Sequence, residues 1–314
     1  MVDDPPPDPR AWPLPSPASG APPRRRTPMS VWITGGGAAA VALVALIAFV
    51  VLVTQPLTAP APPGAEDAGQ QPIDVGIQPK YAPIPELDLQ SHPLYTLAPP
   101  ATSACPKPEL KPESSDSWEA FTAEVGPCLD DIWLPLLQQE LGLRPPPLDY
   151  NVVSQAPPEN STDLDEVLAY YSSEDNSINF VLTNIRRYSA RLPQANEPGV
   201  WLALFGHEYA HYIQRHTTIL DLSAKQEQDA TEDKALEFSR RTELQADCLG
   251  AASLRALDLY DSEQAQRINT TFNAGGHSTT HGSAANARHW FTTGWNTDEL
   301  ADCNTFAAEA ALVS

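Results

Sequence analysis

Basic side chains are scarce in this sequence. Its 314 residues include 19 Lys and Arg against 40 Asp and Glu, which gives a formal net charge of −21. Proteins that bind nucleic acids neutralise phosphates with clustered basic residues, so this balance argues against a nucleic-acid partner. The acidic excess is explained more simply by the solubility of an exported protein than by selection for basic substrates.

Cysteine is also rare, with four residues in the whole chain. None has the closely spaced cysteine partner of a zinc–thiolate site, which excludes that class of metal site. In a domain exported to an oxidising compartment, four cysteines suggest two disulfides, for which three connectivities are possible. We expect Cys105 to pair with Cys128 and Cys248 to pair with Cys303.

One long apolar run stands out, because residues 31–53 carry no charge. As a helix, a run of this length crosses a hydrocarbon core of about 30 Å. Arg24, Arg25 and Arg26 precede it, so the positive-inside rule predicts a cytoplasmic N-terminus and an extracytoplasmic remainder. A cleaved signal peptide is the alternative, but its apolar region is normally shorter. We therefore predict a single-pass protein of the cell membrane.

Proline-rich segments flank the apolar run. Residues 1–30 contain little apolar material, which predicts a disordered cytoplasmic segment. Residues 54–104 predict an extended extracytoplasmic linker. The folded part is then residues 105–314, which is ample for one domain with a single core. The sequence does not indicate an oligomeric state.

Hydrophobic spacing predicts a mostly helical α+β domain with a small β-hairpin or sheet. Apolar residues at steps of three and four predict helices at residues 116–143, 197–219 and 233–257. The first is expected to be interrupted at Gly126-Pro127. Runs rich in β-branched and aromatic residues predict strands at 150–154, 168–173 and 177–183. The last two strands form the expected hairpin, which covers the core.

Two histidines four residues apart, His207 and His211, enclose Glu208 in the pattern His-Glu-x-x-His. On a helix, residues four apart lie one above the other, so both imidazoles point to one place and can hold zinc. Glu208 lies at the edge of the same face and is the candidate general base. Surface histidines are the simpler alternative. Residues 200–206 are apolar or small, however, which predicts a buried helix whose polar groups need partners.

The third metal ligand decides the subclass of such a site. A histidine ligand in the extended zincin pattern would require glycine and histidine where this chain has Gln214 and Thr217. Glu243 is the best remaining candidate. Asp247, one turn further along the same predicted helix, could accept a hydrogen bond from the other nitrogen of a ligand histidine. The alternative is that both carboxylates lie on an exposed helix face.

Small residues form a seam along each of the two predicted helices that carry these groups. The seam on the first consists of Ala203, Gly206 and Ala210, and that on the second of Ala235, Ser239, Ala246 and Gly250. Because small side chains permit close approach of two helices, we expect these helices to pack together.

Four segments together resemble the neutral zinc metallopeptidases of bacteria, which are often membrane-anchored. They are HEYAHYIQ at 207–214, ELQADC at 243–248, THGSAANARHWFTTGW at 280–295 and DCNTF at 302–306. The resemblance implies a zincin-like fold, a peptide or protein substrate and a Cys248–Cys303 disulfide. It also implies one zinc ion on His207, His211 and Glu243. Members typically have two cysteines in the region that corresponds to about 150–185, and this sequence has none there. The resemblance therefore does not predict the structure of the cleft wall.

His281 lies at the start of the third segment, just before a helix expected to begin near Ser283. A histidine near the metal could donate a hydrogen bond to the developing oxyanion, so His281 is a catalytic candidate. A histidine that caps local backbone accounts for it equally well. His277, His289 and Tyr209 are weaker candidates.

The sequence therefore predicts a membrane-anchored zinc metalloendopeptidase with an extracytoplasmic catalytic domain and Glu208 as general base. One alternative is a non-catalytic zinc-binding scaffold, or a module that binds envelope proteins, which keeps the peptidase fold. An intact Glu208 argues against it, because a scaffold needs no base. Another alternative is an amidase that acts on small substrates.

Overall fold

The structure is a computed structural model that describes residues 87–156, 167–191, 197–275 and 278–314. Within these ranges, no helix combines the length and apolar character that a membrane span requires. The predicted span at 31–53, the segment before it and most of the predicted linker lie outside the described residues.

Helices dominate the described part of the chain, and a small three-stranded sheet accompanies them, as the α+β prediction requires. The α-helices are α1 (Ser115–Leu141), α2 (Leu182–Arg191), α3 (Pro198–His216), α4 (Ile219–Asp229), α5 (Glu232–Ala256), α6 (Ser262–Phe272) and α7 (Ala284–Asn296). The strands are β1 (Asp149–Val153), β2 (Ala169–Ser172) and β3 (Ser177–Val181). Short 3-10 helices lie at Pro93–Thr96, Leu300–Cys303 and Ala310–Leu312.

Helix α1 continues through Gly126 and Pro127, so the predicted interruption is wrong. Proline removes one backbone hydrogen bond from a helix and disfavours the turn before it. Here the buried face continues on both sides of the proline, with Trp118 and Trp133 fully buried. Helix stability in proteins comes mainly from such packing, which outweighs the local cost. The helix ends at Leu141 and is capped by Gly142, which adopts φ 67°.

The predicted hairpin is present and belongs to a larger sheet. Strand β2 pairs antiparallel with β3, and β1 pairs parallel with the other side of β3. All five residues of β3 are buried. From this strand, Phe180 stacks on Trp118 of α1 with ring centroids 4.5 Å apart, and it packs at right angles to Phe205 of α3 with centroids 5.4 Å apart. The sheet therefore covers the core between α1 and α3.

The seams of small residues meet where α3 crosses α5. A Cβ atom on Gly250 would lie 2.8 Å from the backbone nitrogen of His207, and one on Gly206 would lie 3.0 Å from the carbonyl oxygen of Gly250. Such distances are too short for ordinary contacts of a side-chain carbon. The two helices are thus in direct backbone contact, which glycine alone permits.

Both predicted disulfides are present. Cys105 is joined to Cys128 of α1, and Cys248 of α5 is joined to Cys303. The second bond fastens α5 to the 3-10 helix at Leu300–Cys303.

The end of the predicted linker, just before residue 105, packs against the helices of the described part of the chain. Leu94 and Leu97 are buried, and the Leu300 backbone N–H donates to the Leu97 carbonyl at 3.0 Å. Within the predicted linker, Pro93–Thr96 forms a 3-10 helix instead of extended backbone, and this helix and its C-terminal cap carry the two buried leucines. We call residues 87–97 the N-terminal strap.

His92 fixes the N-terminal strap to the end of α3. Its side chain is buried, its Nε2 donates to the Thr217 carbonyl at 2.8 Å, and its Nδ1 accepts from the Leu94 backbone N–H at 3.1 Å. An imidazole that donates from one nitrogen and accepts at the other is neutral.

The Gly206–Gly250 contact predicts that Gly250→Ala destabilises the protein by about 1–3 kcal/mol, because the added methyl group forces α3 and α5 apart. Denaturant unfolding measures this loss. The matched control is Gly275→Ala, since a Cβ there meets nothing within 4 Å. Equal stability of the two variants would contradict the backbone contact.

The buried His92 predicts a pH-dependent contribution to stability. Burial lowers the pKa of His92, and the hydrogen bond to Thr217 offsets this only in part. The unfolded chain therefore binds this proton more readily, so the contribution is complete above the unfolded pKa of about 6.5 and declines as pH falls below it. His92→Asn should cost more unfolding free energy at about pH 7.5 than at about pH 5.5. An equal or larger cost at the lower pH would contradict a neutral His92.

Candidate metal centre

Helix α3 presents His207 and His211 to one point. The helix begins at Pro198, whose missing N–H costs nothing in the first turn, and it is buried on almost every side. Because the two histidines are four residues apart, their rings lie on the same face of the helix. Their Nε2 atoms are 3.2 Å apart.

Helix α5 brings Glu243 to the same point. Its Oε2 atom lies 3.3 Å from Nε2 of His207 and 3.3 Å from Nε2 of His211. The three side chains are 20 %, 8 % and 13 % exposed, respectively. These residues form a group that could hold a metal ion.

The hydrogen bonds at the opposite nitrogens determine which form each histidine takes. Nδ1 of His207 lies 2.9 Å from Oδ1 of Asp247, and Nδ1 of His211 lies 2.8 Å from Oε1 of Gln214. Both partners are acceptors, so each Nδ1 carries the proton and donates it. In the neutral imidazole, Nε2 then presents a lone pair.

When both rings are neutral, three lone-pair atoms thus face one another. Glu243 Oε2 is buried and lies within 3.3 Å of the Nε2 atoms of His207, His211 and His281, but it has no well-formed hydrogen bond in the described ranges. Such a cluster is unfavourable by itself and is satisfied by a cation. A tetrahedral zinc ion about 2.0–2.1 Å from each ligand atom holds those atoms about 3.3 Å apart, which agrees with the spacing found here. The donor set and its geometry therefore fit zinc.

Glu208 lies beside this group on α3 and is 5 % exposed. Burial raises the pKa of the Glu208 carboxyl, and the nearby His207 and His211 partly offset this effect. A carboxylate with a raised pKa accepts a proton more readily near neutral pH, as a general base requires.

His281 lies at the open side of the group. Its Nε2 is 3.2 Å from Oε2 of Glu243, and its side chain is 59 % exposed. The Glu243 carboxylate raises the pKa of His281, which favours the donor form of the ring. The loop that carries His281 is held by Arg240, whose Nη1 donates to the Thr279 carbonyl at 2.9 Å.

The weaker candidates do not join the group in the described part of the chain. The Tyr209 hydroxyl donates to Asp130 at 2.7 Å, and the His289 ring contacts Trp290. His277 lies outside the described residues.

The site residue that sequence reasoning missed is Gln214. In the sequence it served only to exclude a third histidine ligand. Its spacing was nonetheless informative, because a residue three positions after His211 lies on the same helix face. The structure uses that spacing for the hydrogen bond to His211.

Comparison with known proteins supports the resemblance found in the sequence. Residues 167–306 match the family described as putative neutral zinc metallopeptidase. No curated protein and no solved structure matches the chain. The matched range includes every residue of the metal-binding group, so the chain resembles a zinc metallopeptidase family in the part that carries the candidate centre.

We expect zinc to stabilise the folded protein, because it binds a group that exists only in the native state. At a free zinc concentration of 100 times Kd, the gain is about 2.7 kcal/mol. Thermal unfolding of the metal-free protein with and without added zinc measures it. Glu243→Ala should abolish the gain, whereas Glu119→Ala, on the exposed side of α1, should retain it. A zinc-induced gain that survives Glu243→Ala would contradict this site.

Proposed function

We propose that this protein is a zinc metalloendopeptidase with a zincin-like catalytic domain. His207, His211 and Glu243 hold the ion, Glu208 is the general base, and the substrate is a peptide or protein. One observation carries the proposal: three lone-pair atoms converge at tetrahedral spacing beside a buried carboxylate. The family match over residues 167–306 supports it.

The bound ion and the protein side chains would supply different parts of the reaction. When bound, zinc polarises a carbonyl oxygen and lowers the pKa of a water molecule to near 7. Glu208 accepts the proton of the water that attacks the peptide carbonyl and then delivers it to the leaving amine. Its position on α3, adjacent to His207, keeps the carboxylate at the edge of the metal centre throughout.

Two neighbours complete the proposed machinery. Asp247 accepts the Nδ1 proton of His207, which fixes the tautomer and the ring orientation. His281 faces the open side, where its protonated ring can donate a hydrogen bond to the oxyanion that develops on the substrate.

We also propose that the catalytic domain lies outside the cytoplasm and is anchored by residues 31–53. The uncharged run and the preceding arginines support this orientation. The two disulfides support it independently, since such bonds persist in oxidising compartments.

The proposed roles predict different losses for two substitutions. In the full-length protein, Glu208→Gln should retain one zinc per chain but lose at least about 100-fold in hydrolysis of unfolded casein, because only the base is removed. Glu243→Ala should lose both zinc and activity. Elemental mass spectrometry and the peptidase assay are run on the same samples, with Glu119→Gln as the control.

Two results would overturn the proposal. Wild-type protein that contains no zinc after purification without chelators would contradict the metal site. Wild-type protein that binds zinc but cleaves neither casein nor a peptide mixture would contradict the peptidase and favour the scaffold alternative.

A further inference from the structure

Gln214 contacts more than the candidate ligand His211. Its amide nitrogen donates to the Thr242 carbonyl at 2.9 Å and to Oε1 of Gln245 at 3.0 Å. The side chain is fully buried. All its hydrogen-bonding groups are therefore used inside the protein, and the amide joins α3 to α5.

Gln245 continues the connection away from the metal centre. It is also fully buried, and its amide nitrogen donates to the Tyr95 hydroxyl at 2.7 Å and to the Cys303 carbonyl at 3.3 Å. Tyr95 belongs to the N-terminal strap, and Cys303 is the disulfide partner of Cys248. A continuous set of hydrogen bonds thus runs from His211 to the strap. We call Gln214, Gln245 and Tyr95 the amide relay.

The direction of the amide relay is fixed by backbone carbonyls. Carbonyl oxygens only accept, so the Thr242 carbonyl requires the amide nitrogen of Gln214 on its side. The Gln214 oxygen must then face His211. The Cys303 carbonyl orients Gln245 in the same way, so the Gln245 oxygen faces Gln214. A reversed amide at either position would bring two acceptors together.

From this directionality we infer that the amide relay is a positioning device for His211, which holds the proton on Nδ1 and leaves Nε2 free for the ion. The inference rests on the proposed zinc site and extends it to Gln245 and Tyr95, which do not touch the metal-binding group. The two ligand histidines are then positioned differently, His207 by the carboxylate of Asp247 and His211 by a neutral amide.

A purely structural role is the competing explanation, because buried hydrogen bonds between α3, α5 and the N-terminal strap also hold the fold together. Burying two amides in a core is costly unless every group is satisfied, and apolar residues of similar size would pack there at lower cost. The structural role predicts lost stability without a change in zinc affinity. The positioning role predicts a change in zinc affinity itself.

The test measures zinc affinity by competition with a chelator in full-length Gln214→Met, Gln245→Met and Tyr95→Phe. Partners of metal-bound histidines typically contribute about 10- to 100-fold to metal affinity, so Gln214→Met should weaken binding by about that factor. The loss should decrease along the amide relay, from Gln214→Met through Gln245→Met to Tyr95→Phe. Asp247→Ala provides the comparison for the other histidine.

A second readout separates positioning from folding. Visible absorption of the cobalt-substituted protein reports ligand geometry, and it should change in Gln214→Met and Gln245→Met. The control is Asn269→Leu, which removes a buried amide that donates to the Arg288 carbonyl and to Thr292 on α7. It should lower thermal stability yet leave zinc affinity and the cobalt spectrum unchanged.

Each outcome bears on one claim. Wild-type protein without zinc would overturn the proposed function as a whole. Zinc-binding wild type together with unchanged affinity in Gln214→Met would overturn the amide relay alone, and so would an equal loss in Asn269→Leu. If Gln214→Met does not fold, the result for Gln245→Met decides, because that substitution leaves the contact between Gln214 and His211 in place.

Discussion

The backbone contact between Gly206 and Gly250 is the constraint on which the candidate centre depends. Glu243, Asp247 and Gly250 follow steps of four and three along α5, so they share one face. Once Gly250 lies against the backbone of His207, Asp247 reaches Nδ1 of that histidine and Glu243 reaches its Nε2. A single close approach of two helices therefore places both carboxylates. A larger residue in either seam would displace both carboxylates at the same time.

The same arrangement concentrates negative charge in a poorly hydrated place. Glu208, Glu243 and Asp247 are all largely buried beside the imidazoles of His207 and His211. Carboxylates removed from water are costly unless a cation or hydrogen bonds compensate them. A divalent ion supplies that compensation where the three lone pairs meet, so metal binding and folding are coupled in this centre. This coupling explains why residues unfavourable in an ordinary core can be retained here.

Much of the candidate centre could be predicted from the sequence because it depends on local spacing. The pairing of His207 with His211 follows from one helical turn, and Glu243 with Asp247 follows from another. Features that depend on contacts between distant segments could not be read in this way. The parallel pairing of β1 with β3 can be recognised only once all three strands are assembled. Likewise, Gln214 acquires its role only when α5 supplies Thr242 and Gln245.

The N-terminal strap shows that the folded unit supporting the metal-binding residues is larger than the sequence motifs that contain them. The family match begins at residue 167, yet His92 is hydrogen-bonded to the end of α3 and Tyr95 to Gln245 of α5. These are the two helices that carry the metal-binding group. Their relative position is therefore fixed in part by residues that composition alone assigned to a linker. A fragment beginning at residue 105 would retain every candidate ligand while leaving Gln245 without its hydroxyl partner and the Thr217 carbonyl without its donor.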